Sequence, residues 1–177
     1  MSNFASAYLI RGDDATLIGN TLRTLTDQLL EGESREIGLE ELLESNHRTD
    51  EGDYSLEALL TAAQTVPFLT QTRVVVGRDM GAFSKKEMVK PLLEYLDNPL
   101  STTRLVLVWE KGPNLQRLGQ IPKSLLEAIE ESGEIVDTRV GRKTADWIRD
   151  QVEFSGVQLD KAAIQALQDN VGEDMAS

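Results

Sequence analysis

The run Arg104-Leu-Val-Leu-Val-Trp109 decides the fold class. Successive strand side chains point to opposite faces, and here both faces are apolar, so both must be covered. That is the condition of a central strand in a parallel sheet wrapped by helices. Arg73-Val-Val-Val-Gly77 has the same character, with β-branched residues suited to a buried, pleated surface. Between the two runs, residues 84–96 form an amphipathic helix, and residues 121–132 form another that stops at Gly133. Glu134-Ile-Val-Asp-Thr138 then closes the sheet.

The same alternation extends towards the N-terminus. Ala7-Tyr-Leu-Ile-Arg11 reads as the first strand, and after Gly12-Asp13-Asp14 the apolar positions Leu17, Ile18, Leu22, Leu25 and Leu29 keep a helical period until Gly32. Asp13 or Asp14 serves as the N-cap of that helix. Residues 35–39 form the second strand, residues 40–53 a polar loop, and Ser55-Leu-Glu-Ala-Leu-Leu-Thr-Ala-Ala63 a short helix opened by a serine cap. The expectation is an α/β domain over residues 1–140, a five-stranded parallel sheet with flanking helices. Beyond Val140 the pattern becomes helix only. Residues 144–154 carry Trp147, Ile148 and Val152, residues 160–170 carry Ala163, Ile164 and Leu167, and a third helix begins at Glu173-Asp174-Met175. Two helices cannot bury their apolar faces alone, so residues 141–177 are expected to begin a helical second domain of a longer protein, with Trp147 at the junction.

Composition narrows the function classes. A chain of 177 residues at 40% hydrophobic content supports one full α/β core and a small appendage. It has no cysteine, which removes thiol catalysis and cysteine-based zinc sites. No stretch approaches the length of a membrane span, and the expected location is the cytoplasm. With a net charge of -12, the surface as a whole repels phosphate backbones, so any DNA contact is expected to be indirect or local. The sole histidine, His47, lies in the polar run Glu44-Ser-Asn-His-Arg-Thr-Asp50 and is expected to be an exposed loop residue.

A strand, a glycine turn and a helix form the place where a phosphate-binding loop lies, because a helix N-terminus offers free N–H groups. The residues here do not complete it. Counted from Gly12, the motif needs glycine and lysine where the chain has Leu17 and Ile18, and Gly19 is followed by Asn20-Thr21. Asp13-Asp14 at the turn would repel a nucleoside triphosphate. The same acidic pair is compatible with a receiver-like, phosphate-responsive domain that chelates magnesium. That domain needs its phosphoacceptor at the end of the third strand, whereas Asp50 and Asp53 lie in the polar loop and Asp79 comes too late. Capping is the simpler role for the pair. Glu110, after Trp109, has no phosphate loop to work with and is read as a capping or surface residue.

The most informative connection is Gln64-Thr-Val-Pro-Phe-Leu-Thr-Gln-Thr-Arg73, which puts Val66, Pro67, Phe68 and Leu69 between a helix and a central strand. Such residues either tuck onto the core as a plug or project as a finger that fills a partner's pocket. Taken with the Gly-Asp-Asp turn, Ser55-Leu-Glu-Ala-Leu-Leu and Arg73-Val-Val-Val, this segment is similar in order and spacing to bacterial clamp-loader delta subunits, AAA+-like components of DNA polymerase III. Leu92-Leu-Glu-Tyr-Leu-Asp-Asn-Pro99, Thr144-Ala-Asp-Trp-Ile, Gly156-Val-Gln-Leu-Asp160 and Gly172-Glu-Asp174 resemble the family's later landmarks, so the likeness covers residues 7–177.

The resemblance implies the N-terminal part of a three-domain subunit: a RecA/AAA+-like domain without a functional phosphate loop, then the start of the helical second domain. It implies no catalysis and no cofactor in this chain. The implied partners are the beta sliding clamp, which the subunit grips and helps to open, the gamma/tau and delta prime loader subunits, and DNA through the assembled complex only. Val66, Pro67, Phe68 and Leu69 map onto the family's clamp-binding loop. Family members often carry an aromatic where this chain has Leu69, and an arginine near Thr72.

Overall fold

The computed structural model describes residues 4–139. The helices expected over 144–154 and 160–170, Trp147 and the boundary at residue 140 lie outside the described residues. The elements run β1 (Ala7–Arg11), α1 (Ala15–Leu29), α2 (Arg35–Gly38), β2 (Leu39–Leu42), α3 (Glu57–Gln64), β3 (Arg73–Gly77), α4 (Lys86–Asp97), β4 (Thr103–Trp109), α5 (Lys123–Ser132) and β5 (Gly133–Asp137). All four strand pairings are parallel, in the order β2-β3-β4-β1-β5.

The strand assigned to Arg104–Trp109 is the sheet's centre, and all seven residues of β4 are buried. Alternation divides the core into two layers. Tyr8, Ile10, Val74, Val76, Val106 and Val108 face Ile18, Leu22 and Leu29 of α1. Ala7, Leu9, Val75, Leu105, Leu107 and Trp109 face the other way, against Leu59 of α3, Val89 and Leu92 of α4, and Leu125 and Ile129 of α5. Helix α1 starts where its cap allows, since Asp14 Oδ1 accepts the Leu17 N–H at 2.8 Å. Ser55 Oγ accepts the Glu57 N–H at 3.2 Å at the start of α3. Among the described residues, no helix is long and apolar enough to cross a membrane.

Three expectations are corrected. The second strand is Leu39–Leu42, and residues 35–38 form a helical turn instead. As an edge strand it needs only one ladder partner, and its two glutamates pair with arginines of the neighbouring strand and its exit, Glu40 with Arg73 and Glu41 with Arg78. The stretch 40–53 is therefore not simply a polar loop: β2 leads into a 3₁₀ turn, Glu44–His47, and Arg48 bridges to Tyr54. His47 is not exposed. It is 1% accessible, its Nε2 lies 3.0 Å from the Arg78 carbonyl, and its ring meets that of Phe83 edge-on at 5.7 Å.

Candidate functional site

Residues 65–72 leave α3 and return to β3 at the N-terminal end of the sheet. Phe68 is 93% exposed, Leu69 70% and Val66 63%, with Pro67 half-buried beside them. Phe68 and Leu69 are therefore not a plug on the core but stand in water. Each costs its apolar surface while uncovered, about 1.5–3 kcal/mol per side chain when a partner removes it from water. Single exposed apolar residues are ordinary, but three within four positions form a patch.

The base of this finger is fixed while its tip is not. At the α3 side, Thr65 donates its N–H to the Ala62 carbonyl at 3.2 Å and its hydroxyl to the Thr61 carbonyl at 2.7 Å. At the β3 side, the Gln71 N–H reaches Glu33 Oε1 at 3.1 Å, and the Arg73 N–H reaches the Thr102 carbonyl at 2.9 Å. Next to the α3 side lies a groove of about 770 Å³ lined by Leu60, Gln64, Pro91, Glu94, Tyr95 and Leu100.

The opposite end of the sheet is where a phosphate loop would sit, and there a cleft of about 390 Å³ is lined by Arg11, Gly12, Asp13, Trp109, Gly119 and Arg139. A Cβ at Gly12 would lie 1.9 Å from Thr138 Oγ1, and the Thr138 N–H bonds the Arg11 carbonyl at 2.8 Å, so the end of β5 closes against the β1–α1 turn. The turn carries Asp13 beside this cleft, and the α1 N-terminus already holds the carboxylate of Asp14. Arg11 and Arg139, which flank this turn, both pair with Asp137. The hydrogen bond from Arg139, reinforced by Arg11, pulls the Asp137 carboxyl down to about 2 despite partial burial.

The same end carries a buried polar cluster that the sequence reading missed. Glu44 accepts hydrogen bonds from the Tyr54 hydroxyl and from the Asn114 backbone N–H at 2.9 Å, while its own N–H bonds Asp79 Oδ2 at 2.9 Å. Burial pushes the Glu44 carboxyl up, but the bonds from Tyr54 and Asn114 together outweigh it and hold the group below its ordinary value. Asp79 adopts a left-handed backbone, φ 58°, to turn into this cluster. Arg78 bridges Glu41 and Glu110, so of the two expected roles, cap or surface contact, Glu110 takes the contact, as an ion pair. Trp109 is buried, and its indole N–H donates to the Gly119 carbonyl at 2.7 Å. The only signal for this cluster in the sequence is a concentration of polar residues flanking the strands, with nothing to say that they meet. Asp79 Oδ2 is engaged in this cluster and Asp14 Oδ1 in capping α1.

Comparison with known proteins places these features in a family. The family model described as DNA polymerase III, delta subunit, matches residues 8–131. Among solved structures, the chain is similar to the Bacillus subtilis DNA clamp loader delta protein at 18% identity and TM-score 0.65, over 93% of this chain and 48% of that one. It is also similar to a DNA polymerase III gamma subunit-related protein from Thermotoga maritima, at 15% identity and TM-score 0.52, over 82% of this chain and 45% of that one. At these identities the structures share the fold, and this chain spans about half the length of either. No curated protein matches it. The family match takes in strands β1 to β4, the turn after β1 and the finger together, and the chain belongs to the DNA polymerase III delta-subunit family.

Proposed function

We propose that this chain acts by binding rather than by catalysis: it grips the beta sliding clamp with Val66, Pro67, Phe68 and Leu69 and favours the open form of the ring. The observation that carries the reading is the exposure of Phe68 and Leu69 on a loop anchored at its base, inside the segment that matches the family. An apolar finger that fits a pocket better in the distorted clamp than in the closed one shifts the population by that difference in affinity. Each 1.4 kcal/mol of difference is tenfold, so part of the burial of two anchors is enough to matter.

ATP is supplied and hydrolysed by other loader subunits, gamma/tau and delta prime are the partners in the loader, DNA is met through the assembled complex, and the whole works in the cytoplasm. The Asp14 cap on the α1 N-terminus, and Leu17-Ile18 where a phosphate loop has glycine and lysine, support a chain that needs no nucleotide of its own. Residues 1–140 form the AAA+-like domain in this reading, and residues 141–177 begin the helical second domain.

Calorimetry with the cognate clamp tests it. The Phe68→Ala/Leu69→Ala variant, folded by circular dichroism, should bind at least about 100-fold more weakly, since roughly 3–6 kcal/mol of apolar burial is removed. ATP with magnesium, titrated separately, should give no saturable heat. Wild-type affinity in the double variant, or saturable ATP binding, would sink the proposal.

A further inference from the structure

The two limbs of the finger are held by different means. The first continues α3 through the Thr65 bonds to its last turn. Among the described residues, the backbone of 66–70 makes no hydrogen bond, and the second limb is tied at Gln71 by one side chain, Glu33, which lies 38 positions earlier in the chain. β3 takes over only at Arg73.

Glu33 is delivered to that point by its own backbone. Glu31 and Gly32 take left-handed conformations, φ 51° and 90°, which reverse the chain after α1, and the Glu33 N–H closes the turn on the Leu30 carbonyl at 2.8 Å. Leu30 is buried, so the turn is fastened to the core. Gly38, at the end of α2, fills the remaining space: a Cβ there would lie 2.7 Å from Leu30 Cδ2 and 3.7 Å from both Glu33 Cβ and the Thr72 carbonyl oxygen. The end of α1, the end of α2 and the end of the finger thus converge, with Glu33 Oε1 as the hydrogen-bonded link between them.

We propose that Glu33 is a positioning residue that latches the second limb of the finger and so presents Phe68 and Leu69 pre-organised for the clamp, a role that rests on the clamp-binding reading above. Ordering a loop before binding removes that cost from the binding step, so the latch raises affinity without touching the partner. Its loss should leave a finger that still binds but is less often in the competent arrangement.

Four samples of this chain separate the ideas: wild type, Glu33→Ala, Glu33→Gln and Phe68→Ala. Two quantities are read, the solvent-exchange rate of the Gln71 amide proton by NMR and the affinity for the sliding clamp. Glu33→Ala should speed Gln71 exchange and weaken clamp binding by roughly three- to tenfold, the scale of one lost hydrogen bond, with an unchanged melting temperature. Glu33→Gln keeps a side-chain oxygen of the same reach and should restore both quantities to within about twofold of wild type. Wild-type Gln71 exchange in Glu33→Ala, or faster exchange with wild-type affinity, overturns the latch. Wild-type affinity in Phe68→Ala overturns the clamp reading and with it this use of the latch, and Gln71 exchange in the Glu33 variants then still reports whether the limb is held.

Discussion

Phe68 and Phe83 are the same side chain in opposite surroundings, 93% and 1% accessible. Phe83 packs edge-on against both His47 and Tyr54, at 5.7 and 5.9 Å. Phe83→Ala should therefore cost about 3–5 kcal/mol in chemical denaturation, whereas Phe68→Ala should stay within about 0.5 kcal/mol of wild type. Equal losses would mean that the finger is part of the core. His47 adds a pH dependence. Burial lowers its pKa, against smaller opposing effects of the Arg78 carbonyl, Asp79 and Glu44. The unfolded chain takes up a proton near pH 6.5 while the folded chain does not, so stability is undiminished above that pH and falls as pH drops below it, until the folded pKa is reached. Denaturation between pH 7 and 5 should show that slope, and His47→Gln, which cannot be protonated, should flatten it. Nothing in the sequence around His47 announces this. Its contacts with Arg78 and Phe83 come from more than 30 positions away, and a polar run reads as solvated unless such partners are known.

Among the elements, those with dense apolar runs were legible and the polar edge was not. β3, β4 and α1 follow from unbroken valine and leucine runs, and from a 3.6-residue period with an aspartate cap. β2 was placed too early because Leu39-Glu-Glu-Leu42 carries charge that only its ion pairs with Arg73 and Arg78 explain. The finger was found from apolar residues in a connection, but their exposure could not be read from the sequence, since a plug and a projecting tip have the same composition. At the other edge, β5 is clasped to β1 through Asp137, bonded by Arg139 and, at 2.9 Å, by Arg11. Because the Asp137 pKa falls to about 2 in the folded state, against about 3.9 unfolded, its contribution is complete above pH 4. It is lost as pH falls from about 4 towards 2. Asp137→Asn should be less stable than wild type at neutral pH and show a shallower loss over that acid range. Parallel curves for the two proteins would mean that the clasp carries no stability.

In the molecule as a whole, the parallel arrangement sends every strand the same way, so the two ends of the sheet differ in kind. At the ends where strands begin lie the finger, its latch at Glu33 and the groove beside α4. At the ends where strands finish lie the Asp14-capped turn after β1 and the Glu44 cluster. The order of elements was legible because each apolar run had to be covered on both faces. The contact of Thr138 with Gly12 was not, because residues 12 and 138 meet only after β1 and β5 pair.

The finger also separates reach from stability. Both of its limbs are fixed at their bases, by the last turn of α3 and by Gln71 before β3, while among the described residues the backbone of the tip between them makes no hydrogen bond. Closing a longer connection costs little, about 0.6 kcal/mol for a doubling of length. Two residues added at the tip would nonetheless carry Phe68 outward by several ångströms, since an extended chain spans about 3.3–3.6 Å per residue. The distance to which the finger reaches from the sheet can thus change by insertion and deletion alone, with the register of all five strands left as it is.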